Sequence, residues 1–490
     1  MKTTNVAGLA QWARDLISID LRSLAAFRIS LGLVLLWDLS TSLSNVSAFY
    51  SNDGFLPLSM LGVFNDSPWQ WSLHSWSAST AWQIALLIVH LASAGCVLLG
   101  YRTQVAIFLY WALLCSLQTR NPVILHSGDL AIRLFCFWGI FLPLGARWSL
   151  DEIRARVRTF NSTGKVSTAS SLGILVQICL IYWMGALLKE GVEWRRDGTA
   201  VYYAFSLDQF VSQTGRYLLH FPELCRIATF GTWWFEVVGP ILAILTFRAQ
   251  FWRLLIVIAF FSFHIALGIS FRLGPFAATM LSAWMLFLPS KFWDVIEKRL
   301  RLSKSNEDPG QVGKTWMQMP LVQSFTFVCL IYVIFWNLRG AGVRNGTKWF
   351  PHSLDSFGHA LYLDQDWSMF APRPSTDDGW VIMEGLLANG MRVDLLRGGR
   401  AVTFEKPEII SAEFEDSKWH KAILSVWHPP FQQITPTLGN YFAFQWNTGH
   451  QSSEQIRGWA LWYMREDTLE KGQFSSPKKI ELLKVGQFSE

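Results

Sequence analysis

Apolar residues gather in this chain into nine runs separated by short polar punctuation. The runs lie at 23–41, 79–99, 103–119, 129–145, 170–188, 227–247, 252–271, 274–290 and 320–338. Each is long enough, or nearly so, to cross a bilayer as a helix, which takes about 20 apolar residues. The run at 172–188 is broken only by Gln177 and a few small or aromatic residues, and it ends on Lys189. Beyond 338 the period changes. Trp380 to Leu396 alternates apolar and polar residues on either side of Ala388-Asn389-Gly390, a hairpin signal. Ile456 to Trp462 and Lys479 to Val485 read as further strands, and Gly439 to Trp446 is short and aromatic. The pattern predicts a polytopic all-α membrane bundle of about nine transmembrane helices, followed by a small, mainly β extracytoplasmic domain.

Charge orients the bundle. Basic residues cluster before the first run (Lys2, Arg14, Arg22), after the fourth (Arg147, Arg154, Arg156, Arg158, Lys165) and in 291–314 (Lys298, Arg299, Arg301, Lys304). Arg102, Arg248 and Arg253 fall in or beside intervening turns of the same parity. Cationic loops stay cytoplasmic, so the N-terminus is expected inside and the C-terminal region outside. The expected division is a cytoplasmic amphipathic segment at 1–22, a membrane domain at 23–300 and a cytoplasmic linker at 301–319. A last span at 320–338 and an external domain at 345–490 complete it, with 363–372 clamping that domain to the outer bundle face. Hydrophobic residues make up 51% of the chain, charged ones 16%, and the net charge is +6. That positive balance reflects topology rather than a nucleic-acid footprint. Met1 to Ser18 has no apolar core of a cleavable signal, so the first span is expected to serve as the insertion signal. The six cysteines include no CxxC and none beyond residue 338, so neither a metal site nor a disulfide framework is expected.

Against this apolar background the ionisable residues stand out, because charge inside a membrane is costly and marks function by default. Arg28 and Asp38 share the first span but lie about 15 Å apart along it, too far to pair. Arg120, His126 and Asp129 form a polar cluster at the outer ends of the third and fourth spans, and Arg133 follows one turn later. Glu236 sits mid-span before Gly239-Pro240, and a buried glutamate must be protonated or paired. His264 lies inside the seventh span, where it serves either as a core histidine or as a ligand contact. Lys189 has two physical fates: its stem snorkels to water, or its amine is held in a low-dielectric pocket and becomes a usable base. Together these groups predict a polar cavity among the helices, opening near the outer leaflet.

In order along the chain, several clusters resemble the HTTM family, the bacterial membrane relatives of the vitamin K-dependent γ-carboxylase. They are Arg28 with Asp38, the turn from Tyr50 to Pro57, Arg120-Asn121-Pro122 through His126 and Asp129, and Phe141 to Gly145. Trp148-Ser149-Leu150-Asp151, Tyr182 with Lys189 and Trp194, His264 with Gly274 and Phe276, and 365–372 continue the series. The resemblance implies a multi-pass protein of the bacterial inner membrane that binds a quinol-type lipid, reduced vitamin K or menaquinol. By position Lys189 would be the base that deprotonates the quinol, with His126 beside it in the quinone pocket. Arg28, Asp38, Arg120, Asp129, Arg133, Glu236 and His264 would line that pocket. Leu188-Lys189 stands where the carboxylase has paired lysines, and the external region is shorter. Quinol oxygenation to an epoxide is therefore expected ahead of glutamyl carboxylation. The alternatives are a non-enzymatic factor for maturation or export of a secreted peptide, and a structural protein whose polar groups lock helix register.

Overall fold

The computed structural model describes residues 2–64, 67–154, 164–300, 316–342, 349–414, 416–429, 431–469 and 473–486. The expected linker at 301–319 falls mostly outside them, as do Arg156, Arg158, Arg301 and Lys304.

The chain is mostly helical. In order come α1 (Lys2–Leu16), α2 (Leu21–Ser44), α3 (Thr80–Leu99), α4 (Thr103–Arg120), α5 (Ser127–Ile140) and α6 (Ala169–Leu188). Then follow α7 (Pro222–Leu245), α8 (Gln250–Ser270), α9 (Phe276–Trp284), α10 (Ser290–Arg299) and α11 (Pro320–Gly340). Six of these, α2, α3, α6, α7, α8 and α11, are long and apolar enough to cross a membrane. Every apolar run of the sequence contains a helix, but two stop short. The run at 129–145 ends its helix at Ile140, and Phe141–Gly145 is a turn containing Pro143. The run at 274–290 keeps only nine α-helical residues and a 3-10 turn, bracketed by Pro275 and Pro289. Proline lacks the N–H that would extend a helix through it, which hydropathy alone cannot register.

Helix starts follow the local chemistry. The Asp20 carboxylate accepts from Arg22 N–H at the start of α2, and Ser79 Oγ from Trp82 N–H at the start of α3. Gly32 lets α2 and α3 meet backbone to backbone: a Cβ there would lie 2.8 Å from Leu98 Cα. Arg22 also bridges Asp294 and Glu297, tying α10 to the foot of α2.

The C-terminal sheet has five antiparallel strands: β1 (Asp377–Leu387), β2 (Arg392–Asp394), β3 (Arg400–Ala401), β4 (Ile456–Asp467) and β5 (Lys478–Val485). Their order is β3-β2-β1-β4-β5. The expected hairpin forms, with Gly385 opposite Val393 and Gly390 turning at φ +88°. Two helices, α12 (Ser417–Ser425) and α13 (Thr435–Gly449), also belong to this region, so it is mixed rather than mainly β. The aromatic stretch 439–446 lies within α13. Nor is β1 half-exposed as its alternation implied. Val381 and Met383 join the main core with Trp419 and Ile423, while Trp380 and Ile382 pack beneath Val402, Phe404 and Ile410. The main core runs unbroken from the bundle into this domain, and Trp419 of α12 packs on Phe49 with ring centroids 4.9 Å apart.

Candidate functional site

The residues singled out in the sequence do not share one cavity. They divide among two cavities, one buried ion pair and two structural fastenings.

The first cavity, about 340 Å³ and almost wholly apolar, lies between α6, α7 and α8. Its wall along α6 carries Tyr182, Gly185 and Lys189, at i, i+3 and i+7 and therefore on one helical face. Lys189 caps the end of α6 and is only 4% exposed. Its ammonium turns inward and donates to Glu236 Oε1 at 2.7 Å and Oε2 at 2.5 Å, with the Trp194 ring centroid 4.8 Å away. Of the two fates the sequence left open, snorkelling is not the one adopted. Glu236 sits four residues before Pro240, which cannot donate to the Glu236 carbonyl and so loosens the helix at that turn. The indole N–H groups of Trp233 and Trp183 stitch α7 to α6 around the pair, bonding the Ala186 and Val237 carbonyls at 3.1 Å. A second polar station faces the same cavity. Tyr182 Oη lies 2.5 Å from His264 Nε2 and accepts from Trp284 Nε1 at 2.6 Å. Two charges so far from water persist only as a pair, because each alone would cost several kcal/mol to desolvate (~3–5 on breaking a buried pair). The amine already donates to both carboxylate oxygens, so it accepts a proton only after passing one to Glu236.

Part of this chain is similar to a known protein. Over 204 residues it is 26% identical to YitO, an uncharacterised protein of Bacillus subtilis strain 168. The match takes in 39% of this chain and 62% of that relative's length. No family model matches the chain, and no solved structure matches it.

The second cavity, the more polar of the two and about 470 Å³, lies at the ends of α4 and α5 against the 364–366 segment. His126, Asp129 and Arg133 line it together with Gln118, Asp364 and Asp366. His126 Nδ1 approaches Asp129 Oδ2 at 2.7 Å, and the same oxygen accepts the His126 backbone N–H at 2.9 Å. Arg133 points into the bundle, pairing with Asp364 at 3.1 Å and reaching Gln118 Oε1 at 3.2 Å. Lys189 and His126 thus line different cavities, which corrects the expectation of one pocket holding both.

Asp38 joins neither cavity. Its Oδ1 is 3.1 Å from Lys418 Nζ, a residue of α12 that the sequence reading passed over. Lys418 also donates to Ser42 Oγ at 2.5 Å and to the Asp38 carbonyl at 3.1 Å. Burial works against its charge, but Asp38, Tyr50 and Asp129 together outweigh it and hold the ammonium above the ordinary lysine range. No local signal marks Lys418 beyond its place on the apolar face of a short helix. Arg28 and Arg120 are fastenings. Arg28 donates to the carbonyls of Leu144 at 3.1 Å and Val97 at 3.0 Å, Arg120 to those of Leu56 at 2.9 Å and Ser51 at 3.2 Å. Such bonds tie loops to helix ends, although Arg120 Nε has no hydrogen-bond partner among the described residues.

The clamp segment serves both cavities. Gln365 Oε1 accepts from Gln177 at 2.7 Å and Trp367 at 2.9 Å, and the Phe370 carbonyl accepts from Trp194 at 2.9 Å. Met369 and Phe370 line the apolar cavity and Asp364 and Asp366 the polar one. Where the sheet domain meets the 197–221 loop, the carboxylates of Asp208, Asp378 and Glu466 converge within 4.8 Å, a grouping able to hold a metal ion. Lys406 bridges Asp208 and Glu466, and Arg216 pairs with Asp208, so protein cations already occupy two of the three carboxylates.

Proposed function

We propose that this chain is a multi-pass protein of the bacterial inner membrane that binds a quinol-type lipid in its apolar cavity. The observation that carries this reading is a buried Lys189–Glu236 ion pair facing a chamber whose lining is mainly apolar. Such a site accepts an amphipath: the apolar wall takes ring and tail, and the pair meets a hydroxyl or carbonyl oxygen. We take the shorter helices α4, α5 and α9 to complete nine spans, with the N-terminus cytoplasmic and the sheet domain outside.

The chemistry fits an HTTM-type, vitamin K-like oxygenase. A proton shift from the Lys189 ammonium to Glu236 leaves a neutral amine beside a neutral acid, which a low dielectric tolerates better than two separated charges. The amine is then the base for a ligand hydroxyl, and Glu236 stores the displaced proton. The overall reaction, quinol plus dioxygen to quinone epoxide plus water, balances without a further reductant. Glutamyl carboxylation is the lesser expectation, since Leu188-Lys189 stands where the carboxylase has paired lysines and the external region is shorter.

The test supplies detergent-purified protein with menaquinol or reduced vitamin K and oxygen, and looks for the epoxide by mass spectrometry. Wild type is expected to form it and Lys189→Ala to form none. Absence of epoxide with every quinol would overturn the oxygenase reading. The polar cavity, with its mixed charges near the ends of α4 and α5, favours a second reading as a maturation factor for a secreted peptide. A peptide that copurifies with wild type and is lost in Asp364→Asn would mark that role.

A further inference from the structure

Hydrogen-bond bookkeeping at Tyr182 fixes the state of His264. An indole N–H can only donate, so the Trp284 bond at 2.6 Å takes a lone pair of Tyr182 Oη. The phenol hydrogen is then free to donate to His264 Nε2, 2.5 Å away. The opposite assignment would leave both the phenol hydrogen and a ring nitrogen without partners, so the donating phenol satisfies more groups. Nε2 is therefore the bare nitrogen, and in the neutral ring the hydrogen sits on Nδ1. That Nδ1 is buried and has no hydrogen-bond partner among the described residues. A buried N–H without an acceptor is unfavourable, and His264 lines the apolar cavity.

The other polar station of that cavity, Lys189 with Glu236, lies two turns further along the α6 wall. Gly185 stands between them. A Cβ there would meet nothing closer than Glu236 Oε2 and the Trp367 carbonyl, both at 3.9 Å, so the wall is open at this level. Phe263, Phe271, Phe276 and Phe370 supply aromatic faces around it.

We infer that His264 reads the second ring oxygen of the ligand in this cavity, with the ring seated across Gly185. The His264 Nδ1–H holds the oxygen distal to Lys189. This rests on the reading of the cavity as a quinol-type lipid site and adds a specificity-determining residue to it. Tyr182 and Trp284 act as positioning residues that set the imidazole tautomer.

The experiment measures equilibrium binding of two compounds to the detergent-purified full chain. One is 2-methyl-1,4-naphthoquinone; the other is 2-methyl-1-tetralone, which keeps a single carbonyl. Wild type is expected to prefer the quinone by about fivefold to tenfold, the worth of one hydrogen bond. His264→Phe should bring the quinone down to the tetralone level and leave tetralone binding unchanged. Equal affinity of wild type for both compounds overturns the His264 assignment while the cavity reading stands. Persistence of the preference in His264→Phe overturns it too. Binding of neither compound overturns the cavity reading itself. Nitrogen-15 spectra of histidine-labelled wild type need no variant: Nδ1–H is expected for His264, and Nε2–H would overturn the inference.

Discussion

Lys418 is 4% exposed, and its ammonium meets Asp38 in the first membrane helix from a domain more than 370 residues away in sequence. Removing one partner of such a pair leaves the other charge buried and uncompensated. Lys418→Met is therefore expected to destabilise the detergent-solubilised protein by about 3–5 kcal/mol, read as a fall in thermal midpoint. Adding Asp38→Asn should recover most of that loss, because the stranded charge is gone. A double variant as unstable as the single one would mean that Lys418 acts through packing. Lys189→Met strands the Glu236 carboxyl in the same way and is expected to cost a similar ~3–5 kcal/mol. Adding Glu236→Gln should recover most of that stability while epoxide formation stays lost. Epoxide from that double variant would make Lys189 structural. Both lysines are visible in the sequence, yet only Lys189 drew attention, because it ends an apolar run; the partner of Lys418 exists only in the folded chain.

At the scale of one helix, α6 is both a span and the wall of the apolar cavity. Gly185 is its open point, where no side chain fills the space between Tyr182 and Lys189. Gly185→Leu replaces a poor helix former with a good one, so the helix itself gains about 1 kcal/mol. The new side chain enters the cavity. The expected result is a thermally sound protein whose quinone binding falls by tenfold or more, measured beside wild type. Unchanged binding would place the ligand elsewhere. The periodicity of α6 could not have disclosed this role, since an apolar residue facing lipid and one facing a cavity look alike in sequence. In β1 the same limit acted in reverse. Alternation implied one wet face, but 402–414 covers that face, so both are dry.

Across the whole molecule, the sheet domain is held to the 197–221 loop through Asp378, whose carboxyl accepts from the Asp208 backbone N–H. Burial pushes that carboxyl up to about 7 against the backbone N–H of Gly379, and the Asp208 carboxylate adds to the push. Its folded value lies above its ordinary 3.8, so the stability it lends is full below that pH and is lost as pH rises through about 7. The loss is about 4 kcal/mol at most, taking 1.36 kcal/mol per unit. Thermal unfolding should therefore show a lower midpoint at pH 8 than at pH 5, with Asp378→Asn flattening the difference. The same slope in wild type and in the Asn variant would remove Asp378 as its source.

Taken alone, the amino-acid sequence determined where the apolar helices of the bundle lie, the changeover near residue 340, the hairpin at Asn389-Gly390, and the need for partners at Asp38, Glu236 and Arg133. These follow from local physics: apolar run length, turn chemistry and the cost of unpaired charge in an apolar medium. Which partners those charges took was decided only by tertiary structure. Lys189 met Glu236 across α6 and α7, Asp38 met Lys418 from the sheet domain, and Arg28 and Arg120 turned to backbone carbonyls. Pairing between distant segments depends on how helices rotate and which loops fold back over them. A residue's identity states that it needs a partner; only the packing of the whole chain supplies one.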